Sequence, residues 1–241
     1  MIFRQLFDAQ SSTYTYLVAD ETTREAALID PVLEQVDRDL ELVRDLGLTL
    51  VYVLDTHVHA DHVTGAGVLR ERTGAKTVAS QKGAPCVDVH VSRGELLRVG
   101  SIELQVLATP GHTDDSVSYV VGDPQHPGQP GDRVFTGDAL LVRGCGRTDF
   151  QSGEPVALHA SITKVLFALP DSTLVYPAHD YLGHTVTTIG EEKRLNPRVA
   201  GRSEAEFVAF MRALKLPAPK RIDEAVPANR ACGLVAAIPQ G

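Results

Sequence analysis

Tryptophan is absent from this 241-residue chain, and aromatic residues make up only 5% of it. A chain so poor in aromatic rings is badly equipped to stack single-stranded nucleic acid. Positive charge is also in deficit: 23 Lys and Arg face 31 Asp and Glu, for a net charge of −8. That balance opposes a general grip on phosphate backbones, although it leaves room for a local basic patch. Cysteine is scarce, with Cys86, Cys145 and Cys232 far apart, odd in number and without a CxxC pair. A disulfide framework and a thiolate zinc knuckle are therefore not expected, and Cys86 and Cys232 read as inert packing residues. No apolar run approaches the roughly 18 residues of a bilayer span. The N-terminal MIFRQLFDAQSST lacks the apolar stretch and small-residue cleavage site of a signal peptide. The expectation is a cytoplasmic protein with neither nucleic acid nor membrane as partner.

What is present is an ordinary globular composition, 43% apolar and 22% charged, on a chain long enough to bury a sizeable core. Period-two alternation and short apolar runs predict strands at Tyr14–Ala19, Ala26–Ile29, Leu48–Leu54 and Lys76–Ala79. Glu95–Val99 and Ile102–Leu107 form a predicted hairpin, and further strands are expected at Ser116–Val121, Arg133–Thr136 and Thr173–His179. Helical periodicity marks Pro31–Leu46 (with Val36, Leu40, Val43 and Leu46 on one stripe), Val63–Arg72 and Pro155–Leu169. From Thr187 onward the tail reads as patches of helix broken at Pro197, Pro217, Pro219 and Pro227. Strands in groups with helices between them predict two sheets packed face to face, with helices outside.

The chemistry collects at strand ends. His57 follows LVYVL, His112 follows LQVLA through Thr-Pro-Gly, Asp138 follows VFTG, and His179 follows LVYPA. Loops over a rigid scaffold are where ligand sites are built, and four such coincidences in one chain favour a metal site over chance. The stretch DTHVHADH (Asp55–His62) adds His59, Asp61 and His62. In an irregular turn, residues two apart can face one centre. Imidazole with carboxylate suits zinc, iron or manganese, and no thiolate is placed to favour a softer ion. His126, in the Pro/Gly-rich loop GDPQHPGQPGD, reads as a solvated residue. His90 and His159 read as packing or capping residues, and His184 as a surface or supporting group.

The motifs THVHADH, TPGHTDDSVSYV, FTGDALL and YPAHD, in that order, resemble the metallo-β-lactamase fold superfamily. The resemblance implies an α+β, four-layer αββα sandwich over the whole chain, with residues ~187–241 as a C-terminal helical extension. In two-metal members, the positions of His57, His59 and His112 hold one ion; those of Asp61, His62 and His179 hold the other, with Asp138 bridging. A narrower likeness carries further. The strings TGDALLVRGCGRTDFQSG, PAHDYLG and EEKRLNPR are similar to the persulfide dioxygenases. These oxidise glutathione persulfide with O2 and water to glutathione and sulfite at one non-haem Fe(II) per chain.

That resemblance implies iron ligands at His57, His112 and Asp138, a two-histidine, one-carboxylate set that leaves positions open. His59, Asp61, His62 and His179 would surround it, orienting ligands and water. It also makes a homodimer reasonable. Glutathione carries two carboxylates, so a cation is expected nearby. Arg147 is the leading candidate, its alternative being a structural pair with Asp149 or Asp138; Arg143, Lys193 and Arg194 rank lower. Tyr181 is expected to donate a hydrogen bond to substrate. Cys145, between two glycines, is expected to line the substrate site or serve structurally rather than act as a nucleophile. Gly137, Gly144 and Gly146 are read as tight-turn residues that deliver Asp138 and Arg147. The competing readings are a dinuclear zinc thioesterase of the glyoxalase II kind, with two Zn(2+), and a non-enzymatic metal-binding protein of the same fold.

Overall fold

The computed structural model describes residues 1–122 and 130–234; His126 lies outside them. Two six-stranded sheets face each other. The first runs in spatial order β1 (Ile2–Asp8), β2 (Thr13–Ala19), β3 (Glu25–Ile29), β4 (Thr49–Leu54), β5 (Lys76–Ser80) and β6 (Val89–Val91). The second holds β7 (Leu96–Val99), β8 (Ile102–Ala108), β9 (Val117–Gly122), β10 (Pro130–Gly137), β11 (Leu174–Pro177) and β12 (Thr187–Thr188).

Alternation explains why the sheets stack. Along β2, Tyr14, Tyr16 and Val18 point into the seam between the sheets, while Leu17 and Ala19 point to the helices outside. Both faces are therefore apolar, and the strand reads as a continuous run. The few aromatic residues concentrate in the seam: Phe3, Tyr16, Phe135 and Tyr176 pack with ring centroids 4.9–6.2 Å apart. Burying each large side chain there contributes roughly 1.5–3 kcal/mol.

Helices α1 (Val36–Asp45) and α2 (Ala66–Thr73) cover the first sheet. The helical segment α3 (Pro155–Ala160), continued as a π turn and a 3-10 turn to Ala168, covers the second together with α4 (Ile189–Leu195) and α5 (Glu204–Ala213). Glu154 caps α3 by accepting from the Ala157 N–H at 2.7 Å, with Pro155 in the first turn where its missing N–H does no harm. Gly74, at φ +77°, closes α2 in the left-handed conformation that glycine adopts without strain. Among the described residues, no helix is long and apolar enough to cross a membrane.

Several boundaries depart from expectation. The helix expected from Pro31 begins at Val36 after a 3-10 turn (Leu33–Gln35), because Val32 stays extended and forms a bridge with Thr64. Strands β1 and β6 were not foreseen. Pro227 does not break the tail but sits inside α6 (Ile222–Asn229). The largest correction concerns Cys86 and Cys232. They form a disulfide across 146 residues of sequence, their Cα atoms 5.9 Å apart. The fold brings the end of α6 against the loop before β6, a proximity that spacing along the chain cannot reveal.

Candidate metal centre

Register places the donors. The Ile29–Leu54 pairing of parallel β3 and β4 sets Asp30 beside Asp55 and Thr56 at one edge of the first sheet. The Gly137–Pro177 pairing of parallel β10 and β11 sets Asp138 near His179 at the facing edge of the second. Gly137 is at φ +54°, and a Cβ there would meet Thr56 Oγ1 at 2.7 Å, so both the turn and the approach of the two sheets need glycine.

The structure brings together the seven residues of the expected cluster in two groups. His57, His112 and Asp138 each offer one donor atom within 4.8 Å of the others, and so do His59, Asp61, His62 and His179. The first group is aimed by its surroundings. Thr56 Oγ1 gives its proton to Asp30 Oδ2 at 2.9 Å and so accepts from His57 Nδ1 at 3.0 Å, which leaves His57 Nε2 as a lone-pair donor. His112 Nδ1 donates to the Arg147 carbonyl at 2.7 Å, leaving Nε2, which lies 3.6 Å from Asp138 Oδ2. Asp138 Oδ1 accepts from His179 Nδ1 at 2.7 Å, freeing Oδ2. Two imidazole nitrogens and one carboxylate oxygen, each oriented by a bond behind it, fit a divalent metal ion.

Electrostatics support that assignment of protons. Burial, then the neighbouring His59 and His112, hold His57 well below the usual histidine range and keep it neutral. Burial pushes Asp138 up, but the charge of His179 and its hydrogen bond outweigh it and keep the carboxylate ionised far below its ordinary range. His179 is driven the other way. Burial opposes its charge, yet Asp138 and Asp61 raise it well above the usual value. Both its ring nitrogens are committed, Nδ1 to Asp138 and Nε2 to Asp61 Oδ2 at 2.8 Å.

The second group is similarly tied. His62 Nδ1 bonds Asp61 Oδ2 at 3.0 Å, and His59 Nε2 donates to Asp30 Oδ1 at 3.1 Å. Burial opposes the charge on His59, but Asp30 raises it to about 9. Its Nδ1, like His62 Nε2, is buried without a hydrogen-bond partner.

Asp30 escaped the sequence reading. It also accepts from the Thr56 N–H at 2.7 Å and occupies φ +52°, a conformation aspartate tolerates. Asp115, which holds the Val58 N–H at 2.9 Å, and Thr13, which contacts His62 and His179, were likewise unforeseen. A strand-end position signals Asp30, as it signals His57; no local pattern marks the other two.

Three expected substrate residues are placed differently from one another. Tyr181 is 70% exposed, its ring parallel to that of His179 at 6.3 Å. Arg147 grips Asp149 with two bonds, at 2.7 and 2.8 Å, donates to the Pro217 and Leu216 carbonyls and lies over Phe150. Its guanidinium is engaged in the structural pairing that was its alternative reading. Cys145 does not line the site: it is 2% exposed in the apolar layer with Leu140 and Leu158, near Met211, and burial pushes its thiol up to about 11. Arg143 pairs with Glu191 and Glu192, and Lys193 with Asp171, so both serve helix α4. His159 packs on Phe207 at 5.3 Å, and His184 bonds Asp180 at 3.1 Å.

Comparison with known proteins agrees with this arrangement. The chain is 48% identical over 235 residues to "Persulfide dioxygenase ETHE1, mitochondrial" of Mus musculus, covering 97% of this chain and 89% of that one. The Homo sapiens protein of the same name matches at the same identity and coverage. A crystal structure of ETHE1 from Myxococcus xanthus superposes with a TM-score of 0.92 at 66% identity, covering 97% of this chain and all of that one. Residues 9–85 and 87–179, which carry all seven clustered side chains, match the profile of the Metallo-beta-lactamase superfamily. Facing sheets, donors at strand ends and this match together establish that the chain belongs to the metallo-beta-lactamase superfamily.

Proposed function

We propose that this chain is a persulfide dioxygenase that converts glutathione persulfide, O2 and water to glutathione, sulfite and two protons. Four electrons pass from sulfur to dioxygen, so the reaction balances with no further oxidant. The observation that carries the reading is the donor geometry. His57, His112 and Asp138 form a two-histidine, one-carboxylate set, while both nitrogens of His179 are spent on carboxylates. Such a set suits one ferrous ion, which supplies the redox chemistry toward O2 that zinc lacks.

The chain's own residues do the rest. Thr56 and the Arg147 carbonyl fix the tautomers of His57 and His112. The chain Asp138–His179–Asp61 leads from the site toward solvent, where Asp61 is 28% exposed, and gives the released protons a hydrogen-bonded route. Tyr181 is proposed as a substrate contact, supported by its exposure beside His179. Glutathione as the carrier thiol, and a homodimer as the working form, belong to the same proposal.

A dinuclear zinc thioesterase is the competing reading, since His59, Asp61, His62 and His179 also fall within metal-binding distance. Protein purified without oxygen should contain about one iron per chain and consume O2 when given glutathione persulfide. Two zincs per chain, or no O2 uptake by iron-loaded protein, would refute the proposal.

A further inference from the structure

The loop that carries His57, His59, Asp61 and His62 is held from a distant part of the chain. Asn229, the last residue of α6, is 3% exposed. Its Nδ2 donates to the His59 carbonyl at 2.9 Å and to the His62 carbonyl at 2.8 Å, while its Oδ1 accepts from the Thr64 N–H at 2.7 Å. One amide thus satisfies three buried backbone groups of a single irregular loop. No other side chain of this size could do so, because the loop needs two donors and one acceptor at one point. An aspartate would set carboxylate oxygens against two carbonyls. An alanine would strand all three groups, leaving buried donors and acceptors unpaired.

The segment beyond Asn229 keeps it seated. The Cys232 carbonyl accepts from the Gly67 N–H at 2.8 Å, and Gly233 lies against the Thr64 carbonyl so closely that a Cβ would collide with it. The Cys86–Cys232 disulfide then ties this segment to the loop before β6.

We propose that Asn229 is a positioning residue for the metal centre, fixing the backbone of the His57–Thr64 loop, and that the Cys86–Cys232 disulfide holds it in place. This rests on the metal-binding reading above. It touches no reacting atom and acts through the loop. The described part of the tail is on this view a working part of the site, acting through the loop backbone that Asn229 holds.

The test uses the full chain with Co(II) as probe, titrated against a competing chelator, for the wild type, Asn229→Ala and Asn229→Asp. The wild type should bind Co(II) with visible ligand-field bands. Both variants should bind about 10–100-fold more weakly with shifted bands, at a temperature where far-UV circular dichroism shows them folded. In the O2-uptake assay kcat should fall while KM for glutathione persulfide stays, as expected when donors move but the substrate pocket does not. If Asn229→Ala does not fold, Asn229→Ser keeps an acceptor for Thr64 and should show the same loss. Variants that bind Co(II) as tightly as the wild type, with the same bands, overturn this inference and leave the metal site standing. A wild type that binds no Co(II) strikes the metal-binding reading itself, and this inference falls with it.

Discussion

Gly146 offers a direct test of how tightly the donors are caged. A Cβ at this position would lie 2.5 Å from the Asp138 carbonyl oxygen and 2.7 Å from Cγ and Nδ1 of the His112 ring. These separations fall roughly 0.8–1.0 Å short of the ~3.5 Å at which a carbon meets its neighbours without repulsion. Neither neighbour has room to retreat. The Asp138 carbonyl accepts from the Gly146 N–H at 2.6 Å, and the His112 ring is pinned by its bond to the Arg147 carbonyl. Gly146→Ala therefore moves His112 and Asp138 themselves. Overpacking of this kind costs about 1–3 kcal/mol, and a 1 Å misplacement of reacting groups costs on the order of 10²-fold in rate. We expect kcat/KM for O2 uptake with glutathione persulfide to drop by about that factor, with weaker metal retention. Gly144→Ala, in the same motif, is the control. Its Cβ would meet Leu141 Cβ at 3.7 Å and the Val142 carbonyl at 3.9 Å, ordinary contacts, and activity should be kept. A Gly146→Ala enzyme indistinguishable from wild type, or two variants equally damaged, would refute the reasoning.

The disulfide closes a loop spanning 146 residues, for which chain entropy gives up to about 5 kcal/mol; Cys232→Ser should lower Tm by about 10–20 °C in calorimetry. An unchanged Tm would show that the bond adds nothing. Asp39 is fully buried, and burial raises its carboxyl to about 6 despite Arg38 beside it. A folded-state value above the unfolded one means that the ionised form is penalised, so this group costs nothing below pH ~4 and destabilises progressively from pH ~4 to ~6. Asp39→Asn should accordingly gain on the order of 2–3 kcal/mol at pH 7 but little at pH 4; equal gains at both would contradict the burial argument. Arg147→Ala should lower Tm, through loss of Asp149 and the Pro217 carbonyl, without changing KM for the persulfide. A raised KM at constant Tm would return Arg147 to substrate binding.

The strands of the sandwich and the positions of the seven clustered residues were legible because both rest on local pattern. A strand buried on both faces is a short apolar run, and a donor just past it needs no long-range knowledge. Strand β1 was hidden because Arg4 and Gln5 interrupt its apolar residues at an edge, where only β2 supports it. Gly144 looked equivalent to Gly146, since both flank Cys145, but what surrounds a glycine is not written beside it. Asp30, Asp115, Asn229 and the Cys86–Cys232 bond act on residues 26 to 170 positions away. Their roles arise only when the sheets meet. Cys145 stood between lining the site and serving structurally for the same reason: its glycine neighbours do not say where the chain turns its thiol, which enters the layer beneath the helices.

The tyrosine hydroxyls of the seam give the metal centre a second meaning. Tyr16, on the first sheet, donates to the Pro177 carbonyl of the second at 2.6 Å, while Tyr119, on the second, donates to the Asp55 carbonyl of the first at 3.1 Å. Each latch ends two residues from a histidine of the cluster, His179 in one case and His57 in the other. Of the three proposed ligands, His57 follows a strand of the first sheet, and His112 and Asp138 follow strands of the second. An ion there would bridge the two sheets, so that their packing and the affinity for the ion become coupled. At a free concentration 100 times its Kd, the ion would add about 2.7 kcal/mol to that packing. Slowed amide exchange where the latches end, at β4 and β11 together, on metal loading would be the mark of a fold fastened by its own reaction centre.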